Sequence, residues 1–234
     1  MGEHTDQLVI ITPSRGRPQL LRRLIDAVAA TAVNAVVLPC LDIDDPTYDQ
    51  YADVLHGHTG WLHRPRMSLS AWTNYAAGYV LNAPDPPRFL ASLGDDHIPR
   101  TPGWDGSLIG AIKARGGSGF SYGNDLFQGR ALPTAWVASS DVVRALGWMM
   151  LPACDHMFVD TAVLALGTEA DAITYCPDVV IEHAHPLAGK APWDASYRQS
   201  NARRQYGKDQ AAYERWVAEQ LGKDAATVRG VMGR

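Results

Sequence analysis

The sequence predicts an α/β protein with a mixed, mostly parallel central sheet, flanking helices and a helical extension at the C-terminus. Short apolar runs alternate with segments of helical periodicity. Polar side chains of the kinds that bind ligands follow several of these runs directly. After about residue 190 the pattern is helical, basic and aromatic, with no further strand-like run. We therefore expect a main domain over residues 1–190 and a helical extension over residues 191–234 that packs on it.

Composition is that of an ordinary globular protein. The 234 residues, 46% hydrophobic and 20% charged, suffice for a sizeable core. A net charge of −4 gives no overall attraction to nucleic acid, although it does not exclude a local basic groove. The cysteines are odd in number and form no CxxC pair, which favours neither a disulfide framework nor a cysteine zinc site. Polar residues 1–6 suggest no signal peptide and no run is long enough to span a membrane, so we expect a cytoplasmic protein with no membrane partner.

The first half of the chain alternates strands and helices. β-branched residues 8–12 predict a strand, and Pro18 suits the first turn of the next helix, where its missing N–H leaves no partner unsatisfied. Pro39 predicts a bend or an edge position in the second strand. The proline-rich stretch 83–87 breaks the pattern before the apolar run that ends at Gly94. The predicted strands are 8–12, 35–41, 60–63 and 89–93, and the predicted helices are 18–28, 48–55 and 70–81.

The second half continues the alternation with shorter signals. A glycine-rich turn at 116–119 separates a helix from a strand, and Ser140 is predicted to cap a helix. Large apolar residues in the loop 147–152 either line an acceptor site or fill the core. With Asp155 as its cap, the last helix of the main domain begins there. The predicted helices are 107–114, 140–146 and 155–166, and the predicted strands are 120–122, 134–138 and 175–181.

The loop between the first strand and the first helix predicts an anion site. Ser14, Arg15 and Arg17 lie there, at a helix N-terminus that attracts negative charge. No Gly-x-Gly-x-x-Gly follows the first strand and no Walker lysine loop occurs, which disfavours a dinucleotide dehydrogenase and an NTPase.

Two later strand ends carry side chains that bind divalent cations. Asp95 and Asp96 follow one apolar run, and His183 and His185 follow the last. These ligand types suit Mg²⁺ or Mn²⁺, and the two imidazoles of an extended His-x-His lie on the same face. The alternatives are a solvated turn closed by Pro99 and a structural role for either histidine. We predict a metal site formed by Asp95, Asp96, His183 and His185.

The predicted metal site indicates a phosphorylated ligand. A divalent ion held by few carboxylates keeps coordination positions for phosphate oxygens. Arg15, Arg17 and Arg66 are expected near the same sheet edge, and guanidinium groups suit phosphate, so a diphosphate is the expected guest. Asp160 lies early in a predicted buried helix, where an unpaired charge is costly, which predicts a partner or a function.

Residues across most of the chain match the motifs of one enzyme family. The matching residues are the stretch 11–18, Asp42, Asp44, Arg66, Asn74, the stretch 93–99, Asp160 and the stretch 182–185. On this set the chain resembles GT-A-type, family-2-like glycosyltransferases over residues 7–195, especially the small forms found in phage genomes. The resemblance implies a GT-A, Rossmann-like fold, a nucleoside-diphosphate-sugar donor and Mn²⁺ or Mg²⁺ as cofactor.

The resemblance also implies roles for individual residues. Thr12, Pro13 and Arg15 would line the nucleotide pocket, and Asp42 or Asp44 would receive the base or ribose. The set expected to bind the nucleotide sugar is Thr12, Pro13, Arg15, Arg17, Asp42, Asp44, Arg66, Asn74, Asp95 and Trp104. Asp96 would be the member of the acidic pair that faces the metal. His183 or His185 would complete the coordination of the ion.

Asp160 matches the general base of inverting members of this family, which takes the proton of the acceptor hydroxyl. Asp155 and His156 are alternatives for this role or for orienting the acceptor. Two departures from the family pattern leave choices open. His97 stands where a third acidic residue is common and can replace a carboxylate ligand. Val159 precedes the base where the family commonly has glutamate, so the inverting or retaining outcome stays open.

The implied function is metal-dependent sugar transfer to a hydroxyl acceptor. The alternatives are a nucleotidyltransferase that makes nucleotide sugars and a non-catalytic nucleotide- or sugar-binding relative. The first of these needs a glycine-rich loop with a downstream lysine, and residues 14–17 supply one glycine. A hydroxylated DNA base or a protein side chain is the expected acceptor, in the host cytoplasm if the chain is phage-encoded. The basic and aromatic residues from Trp193 to Trp216 would suit a nucleic-acid face, and the alternative is a solvated helix face.

Overall fold

The computed structural model describes residues 6–200 and 202–234. The prediction about a signal peptide concerns residues 1–6, of which residues 1–5 lie outside the described residues. Within the described ranges, no helix combines the length and the hydropathy needed to cross a membrane.

One mixed sheet organises the described residues. Its strands are β1 Leu8–Ser14, β2 Ala35–Asp42, β3 Leu62–Arg64, β4 Phe89–Ser92, β5 His97–Pro99, β6 Phe120–Asn124, β7 Trp136–Ser139 and β8 Ile173–His183. They lie in the order β3-β2-β1-β4-β7-β6-β8-β5. β3, β2, β1 and β4 run parallel, as do β6 and β8, whereas β7 is antiparallel to both its neighbours and β5 is antiparallel to β8. The predicted mixed, mostly parallel sheet is confirmed.

Helices cover both faces of this sheet. They are α1 Pro18–Thr31, α2 Tyr51–Val54, α3 Leu69–Leu81, α4 Trp104–Lys113, α5 Ser140–Leu146, α6 Val159–Glu169, α7 Ala195–Ser200, α8 Arg203–Glu219 and α9 Leu221–Val231. Successive side chains of a strand point to opposite faces. Ile11 therefore packs in one core cluster with Trp72 of α3, whereas Ile10 packs in a second cluster with Leu21 of α1. Helices α1, α2 and α4 cover the second cluster, and α3, α5, α6, α8 and α9 cover the first.

Helix α4 begins earlier than its sequence pattern predicts. Gly103 precedes it with φ of +70°, a left-handed conformation that glycine adopts without strain. The Trp104 side chain is fully buried in the second core cluster. Trp104 is also one of the residues predicted to bind the nucleotide sugar; its ring lies inside the core, and that role stays a prediction.

Helix α6 begins later than predicted, at Val159. Phe158 precedes it with φ of +64° and sets the turn into the helix. Asp155 therefore caps no helix and lies in the loop before it, whereas Asp160 lies in the first turn of α6.

The C-terminal extension packs on helices α5 and α6, which cover one face of the sheet. Trp216 of α8 and Val228 of α9 are buried in the first core cluster, on the side that α5 and α6 cover. The helical extension is thus observed, and the division of the chain at residue 190 stays a prediction.

Candidate functional site

The candidate site lies where the carboxyl ends of three parallel strands meet. Ser14 ends β1, Asp42 ends β2, and Asp95 and Asp96 follow shortly after β4. β1 lies between the other two strands and pairs with both, which brings the three ends to one edge of the sheet. This edge is where open α/β sheets bind ligands.

Asp95 ties the arginine-containing loop to the end of β4. Its carboxylate accepts hydrogen bonds from Ser14 Oγ at 2.7 Å and from Arg17 at 3.3 Å. Burial raises the pKa of the Asp95 carboxyl, and the positive charge of Arg17 opposes that shift. Asp95 therefore holds the loop in place while lining the site.

Asp96, His97 and His183 form a cluster in the described residues that can hold a metal ion. One donor atom from each lies within 4.8 Å of the other two. Asp96 contacts His97 Nδ1 at 3.2 Å and His183 Nε2 at 3.5 Å. The antiparallel register of β5 and β8 creates the arrangement, because it places His97 opposite His183 with their rings stacked at 4.3 Å.

The chemistry of this cluster fits a divalent transition-metal ion. Burial opposes ionisation, but hydrogen bonds from His183 and His97 hold the pKa of Asp96 well below its ordinary value, so it is an anionic ligand at neutral pH. His183 Nδ1 is buried without a hydrogen-bond partner among the described residues. One carboxylate and two imidazoles suit Mn²⁺ better than Mg²⁺, which prefers oxygen ligands. Of the four predicted ligands, Asp96 and His183 belong to the cluster, whereas Asp95 and His185 lie outside it, and His97 joins it.

His185 has a different environment from His183. Its Nδ1 accepts a hydrogen bond from the backbone N–H of Leu187 at 3.2 Å, and its ring stacks on Phe127 at 5.8 Å. Burial lowers the pKa of His185, so the ring is neutral at pH 7. His185 thus lies on an aromatic wall beside the cluster.

A segment of the extension covers the cluster. Tyr197 of α7 donates a hydrogen bond of 2.7 Å to Asp96, and burial raises the pKa of Tyr197, so its hydroxyl stays protonated. The guanidinium of Arg17 stacks 3.8 Å from the Tyr197 ring centroid and donates to Asp194 at 2.7 and 2.8 Å. Asp96 and Arg17 therefore both contact the extension.

A cavity of about 430 Å³ opens beside the arginine-containing loop. Asp42 is buried in its wall and accepts hydrogen bonds from Trp72 Nε1 at 2.7 Å and from Arg15 at 3.0 Å. Arg15 also bonds the exposed Asp44 at 3.2 Å, which places Asp44 beside the cavity. The predicted nucleotide-sugar residues that line this cavity are Pro13, Arg15, Arg17, Asp42, Arg66 and Asp95.

A second cavity of about 420 Å³ contains Asp160 together with the Asp96–His97–His183 cluster. Asp160 is half-buried in its wall. Burial raises the pKa of Asp160 to about 7; nearby Asp125 and Asp96 add to this shift and His183 opposes it. A carboxyl with such a pKa can accept a proton near neutral pH.

The other two predicted catalytic residues lie in the loop before α6. His156 lines both cavities, and burial lowers its pKa, so the imidazole is neutral at pH 7. Asp155 lines the first cavity and forms an ion pair with Lys208. Asp160, and not Asp155, therefore shares a cavity with the metal-type cluster.

Two predicted nucleotide-binding side chains lie away from these cavities. The Thr12 side chain is fully buried in the sheet. Asn74 bonds the backbone of Met149 and Met150 at 2.8 to 2.9 Å and holds the loop after α5. Neither residue lines the two cavities, and their roles in nucleotide binding stay predictions.

Sequence reasoning misses Asp194, Tyr197 and Asp209. Asp194 meets Arg17 across 177 residues of the chain and Tyr197 meets Asp96 across 101, and no local pattern predicts such contacts. A signal does exist for Asp209, because it shares one face of a helix with Trp216, and an acidic residue on an apolar stripe indicates a buried partner.

No family model and no curated protein matches the sequence. Solved structures match the fold at low identity. S. aureus TarS has a TM-score of 0.60 and 9% identity, over 97% of this chain and 55% of that chain. The mannosyltransferase PcManGT from Pyrobaculum calidifontis, in complex with GDP-Man and Mn²⁺, has a TM-score of 0.61 and 10% identity, over 99% of this chain and 76% of that chain. Glucosyl-3-phosphoglycerate synthase from Mycobacterium tuberculosis, in complex with Mn²⁺, uridine diphosphate and glucosyl-3-phosphoglycerate, has a TM-score of 0.61 and 11% identity, over 89% of this chain and 80% of that chain.

These matches are similarities of fold. The chain spans 55% of the length of the TarS chain. At such identities the likeness establishes the fold, and the predicted GT-A fold is confirmed.

Proposed function

We propose that the protein is a metal-dependent glycosyltransferase that moves a sugar from a nucleoside-diphosphate sugar to a hydroxyl acceptor. The observation that carries the proposal is the position of the Asp96–His97–His183 cluster. It lies in the cavity that holds Asp160, and Arg17, which lines both cavities, lies 3.8 Å from Asp96. The fold supports the proposal, because structures that share it bind GDP-Man or uridine diphosphate together with Mn²⁺.

The first cavity is the proposed donor site. Arg15, Arg17 and Arg66 supply positive charge for the diphosphate, and Asp42 faces the base or ribose. Arg17 exchanges its contact with Asp194 for one with the diphosphate when the donor binds.

Asp96, His97 and His183 are the proposed metal ligands, with Mn²⁺ favoured by the two imidazoles. When bound, the ion supplies positive charge that stabilises the diphosphate as it leaves. Tyr197 withdraws from Asp96 when this carboxylate becomes a ligand.

Asp160 is the proposed general base. Its carboxylate takes the proton of the acceptor hydroxyl while the acceptor oxygen bonds to the anomeric carbon of the donor sugar. The bond from that carbon to the diphosphate breaks, and the diphosphate keeps the electron pair. Attack from the face opposite the leaving group inverts the anomeric centre. Neutral His156, which lines both cavities, is placed to contact donor and acceptor.

We expect the protein to release a nucleoside diphosphate when it is incubated with Mn²⁺, hydroxyl acceptors and a panel of nucleotide sugars. Arg17→Ala is expected to raise KM for the active donor about 10- to 100-fold, because a hydrogen bond to a charged group contributes about 1.5–3 kcal/mol. Arg23→Ala is the matched control, because Arg23 is exposed on α1, the helix that follows Arg17. Donor turnover is measured by a coupled assay for the released nucleotide.

Two outcomes would replace this proposal with its alternatives. Pyrophosphate released from an NTP and a sugar phosphate would identify a nucleotidyltransferase. Calorimetry that detects Mn²⁺-dependent nucleotide binding without turnover of any donor would identify a non-catalytic binding protein.

The second cavity favours an acceptor whose reacting part is uncharged. Apolar and aromatic side chains on its walls include Phe127, Leu132, Met150, Met157, Phe158 and Tyr206. Among the described lining residues Arg17 is the only lysine or arginine, and it is paired with Asp194. Anionic Asp96 lines the same space, so an anionic acceptor meets repulsion, whereas a flat ring stacks on the aromatic wall.

With the active donor, phenyl β-glucoside is expected to react at least about 10-fold faster than glucose 6-phosphate, because like charges close together cost several kcal/mol. Initial rates at equal acceptor concentrations measure this. A phosphorylated acceptor that reacts as fast contradicts the expectation. A hydroxymethylated base in single-stranded DNA tests the nucleic-acid acceptor, and a rate that falls steeply with salt would assign the acceptor to DNA.

A further inference from the structure

We propose that Asp209, on helix α8 of the extension, is a positioning residue for the loop of residues 154–158, which carries His156 and leads into the helix of Asp160. This inference rests on the proposed glycosyl transfer for its catalytic consequence. Its structural part stands on hydrogen bonds that join the extension to the site.

Asp209 binds three consecutive backbone N–H groups of that loop. Asp155 donates to Oδ1 at 3.0 Å, and His156 and Met157 donate to Oδ2 at 3.0 and 2.8 Å. Gln205, one turn earlier on α8, donates to Oδ2 at 2.9 Å. The Asp209 side chain is fully buried. The extension therefore places a buried carboxylate against three consecutive backbone N–H groups of the loop.

The charge of this carboxylate is maintained by the loop itself. Burial raises the pKa of Asp209, but the backbone N–H groups and Gln205 outweigh burial and hold it below its ordinary value. Hydrogen bonds to an ionised acceptor are stronger than those to a neutral one. Without the carboxylate, buried N–H groups of the loop would lose their partner, and the loop would have to move to satisfy them.

Movement of this loop would reach the proposed reaction centre. His156 lines both cavities, and Phe158 enters helix α6 with φ of +64°, two residues before Asp160. A base or a substrate contact displaced by about 1 Å can lower a rate about 100-fold. Asp209 therefore acts through the loop, without touching the substrate.

A matched control exists elsewhere in the fold. Asp105 of α4 is also buried and accepts hydrogen bonds from two consecutive backbone N–H groups, those of Val33 at 3.0 Å and Asn34 at 2.7 Å. These groups precede β2, at the end of the strand opposite to Asp42. Loss of the Asp105 charge therefore has a comparable structural effect at a place remote from the site.

The test compares Asp209→Asn with Asp105→Asn in the full chain. Thermal unfolding gives the Tm of each variant. Mn²⁺ affinity, kcat with the active donor, and amide hydrogen exchange of residues 154–158 are then measured below both melting temperatures. We expect both variants to have a lower Tm and wild-type Mn²⁺ affinity. Only Asp209→Asn is expected to lose kcat, by about 10- to 100-fold, and to show faster exchange in the loop.

The results separate this inference from the proposed function. Wild-type kcat in Asp209→Asn, or an equal loss of kcat in both variants, would overturn the positioning role. If the wild-type protein turns over no donor, the proposed function fails, and the exchange data still decide the role of Asp209. Unchanged exchange of residues 154–158 in Asp209→Asn would then refute it.

Discussion

Replacing Asp160 by asparagine is expected to lower kcat by about 10²- to 10⁴-fold, the range that general-base catalysis contributes. Asparagine keeps the size of the side chain but cannot accept the proton of the acceptor hydroxyl. KM for the donor is expected to change little, because Asp160 lines the second cavity and not the first. Steady-state release of the nucleoside diphosphate at saturating Mn²⁺ measures both constants.

The pH dependence of the wild-type rate gives an independent check on this base. Burial raises the pKa of Asp160 to about 7. Below that pH the carboxyl is protonated and cannot act as a base, so kcat/KM is expected to fall as pH drops below 7 and to level off above it. Asp160→Asn should lack this dependence. A large loss of kcat confined to Asp155→Asn would instead assign the base to Asp155.

Asp96→Asn is expected to weaken Mn²⁺ binding by at least about 100-fold, since loss of a residue that merely supports a ligand already costs about 10- to 100-fold. The substitution removes the only carboxylate of the cluster and leaves two imidazoles. Titration followed by the electron paramagnetic resonance of free Mn²⁺ measures the affinity, and kcat is expected to fall with it.

Two comparisons make the Mn²⁺ result specific. Asp53→Asn removes an exposed carboxylate on α2 and should leave Mn²⁺ affinity unchanged. Tyr197→Phe removes the hydroxyl that bonds Asp96 and should leave binding unchanged or tighter. Wild-type affinity in Asp96→Asn, combined with its loss in Asp95→Asn, would place the ion on the other carboxylate.

The parts of the site that follow from local pattern could be predicted from the sequence. An apolar run followed by a proline at a helix start predicts β1, its loop and α1, and the structure has all three. Asp96 and His183 each follow or end an apolar run, and the pairing of β5 with β8 brings them together. Such features need only the rule that strand ends of an α/β sheet share an edge.

The remaining features depend on contacts between distant residues. Nothing local distinguishes a core aromatic such as Trp104 from one that faces a cavity. The sequence leaves open whether His97 is a metal ligand, and its pairing with β8 is what brings it beside His183. The contacts of Tyr197 and Asp209 depend on where the extension packs, which follows from the burial of Trp216 and its neighbours and not from any motif.

The segment that covers the cluster makes ligand binding an exchange of partners. Tyr197 already donates a hydrogen bond to Asp96. Asp194, in the same short segment, already accepts hydrogen bonds from Arg17. In the proposed reaction, the first ligand to bind must displace this segment, and the second finds it already displaced. Metal and donor are therefore expected to bind with positive cooperativity, each raising the affinity of the other by the same factor. The segment that carries Asp194 and Tyr197 thus couples metal and donor in addition to any direct contact between the ion and the diphosphate.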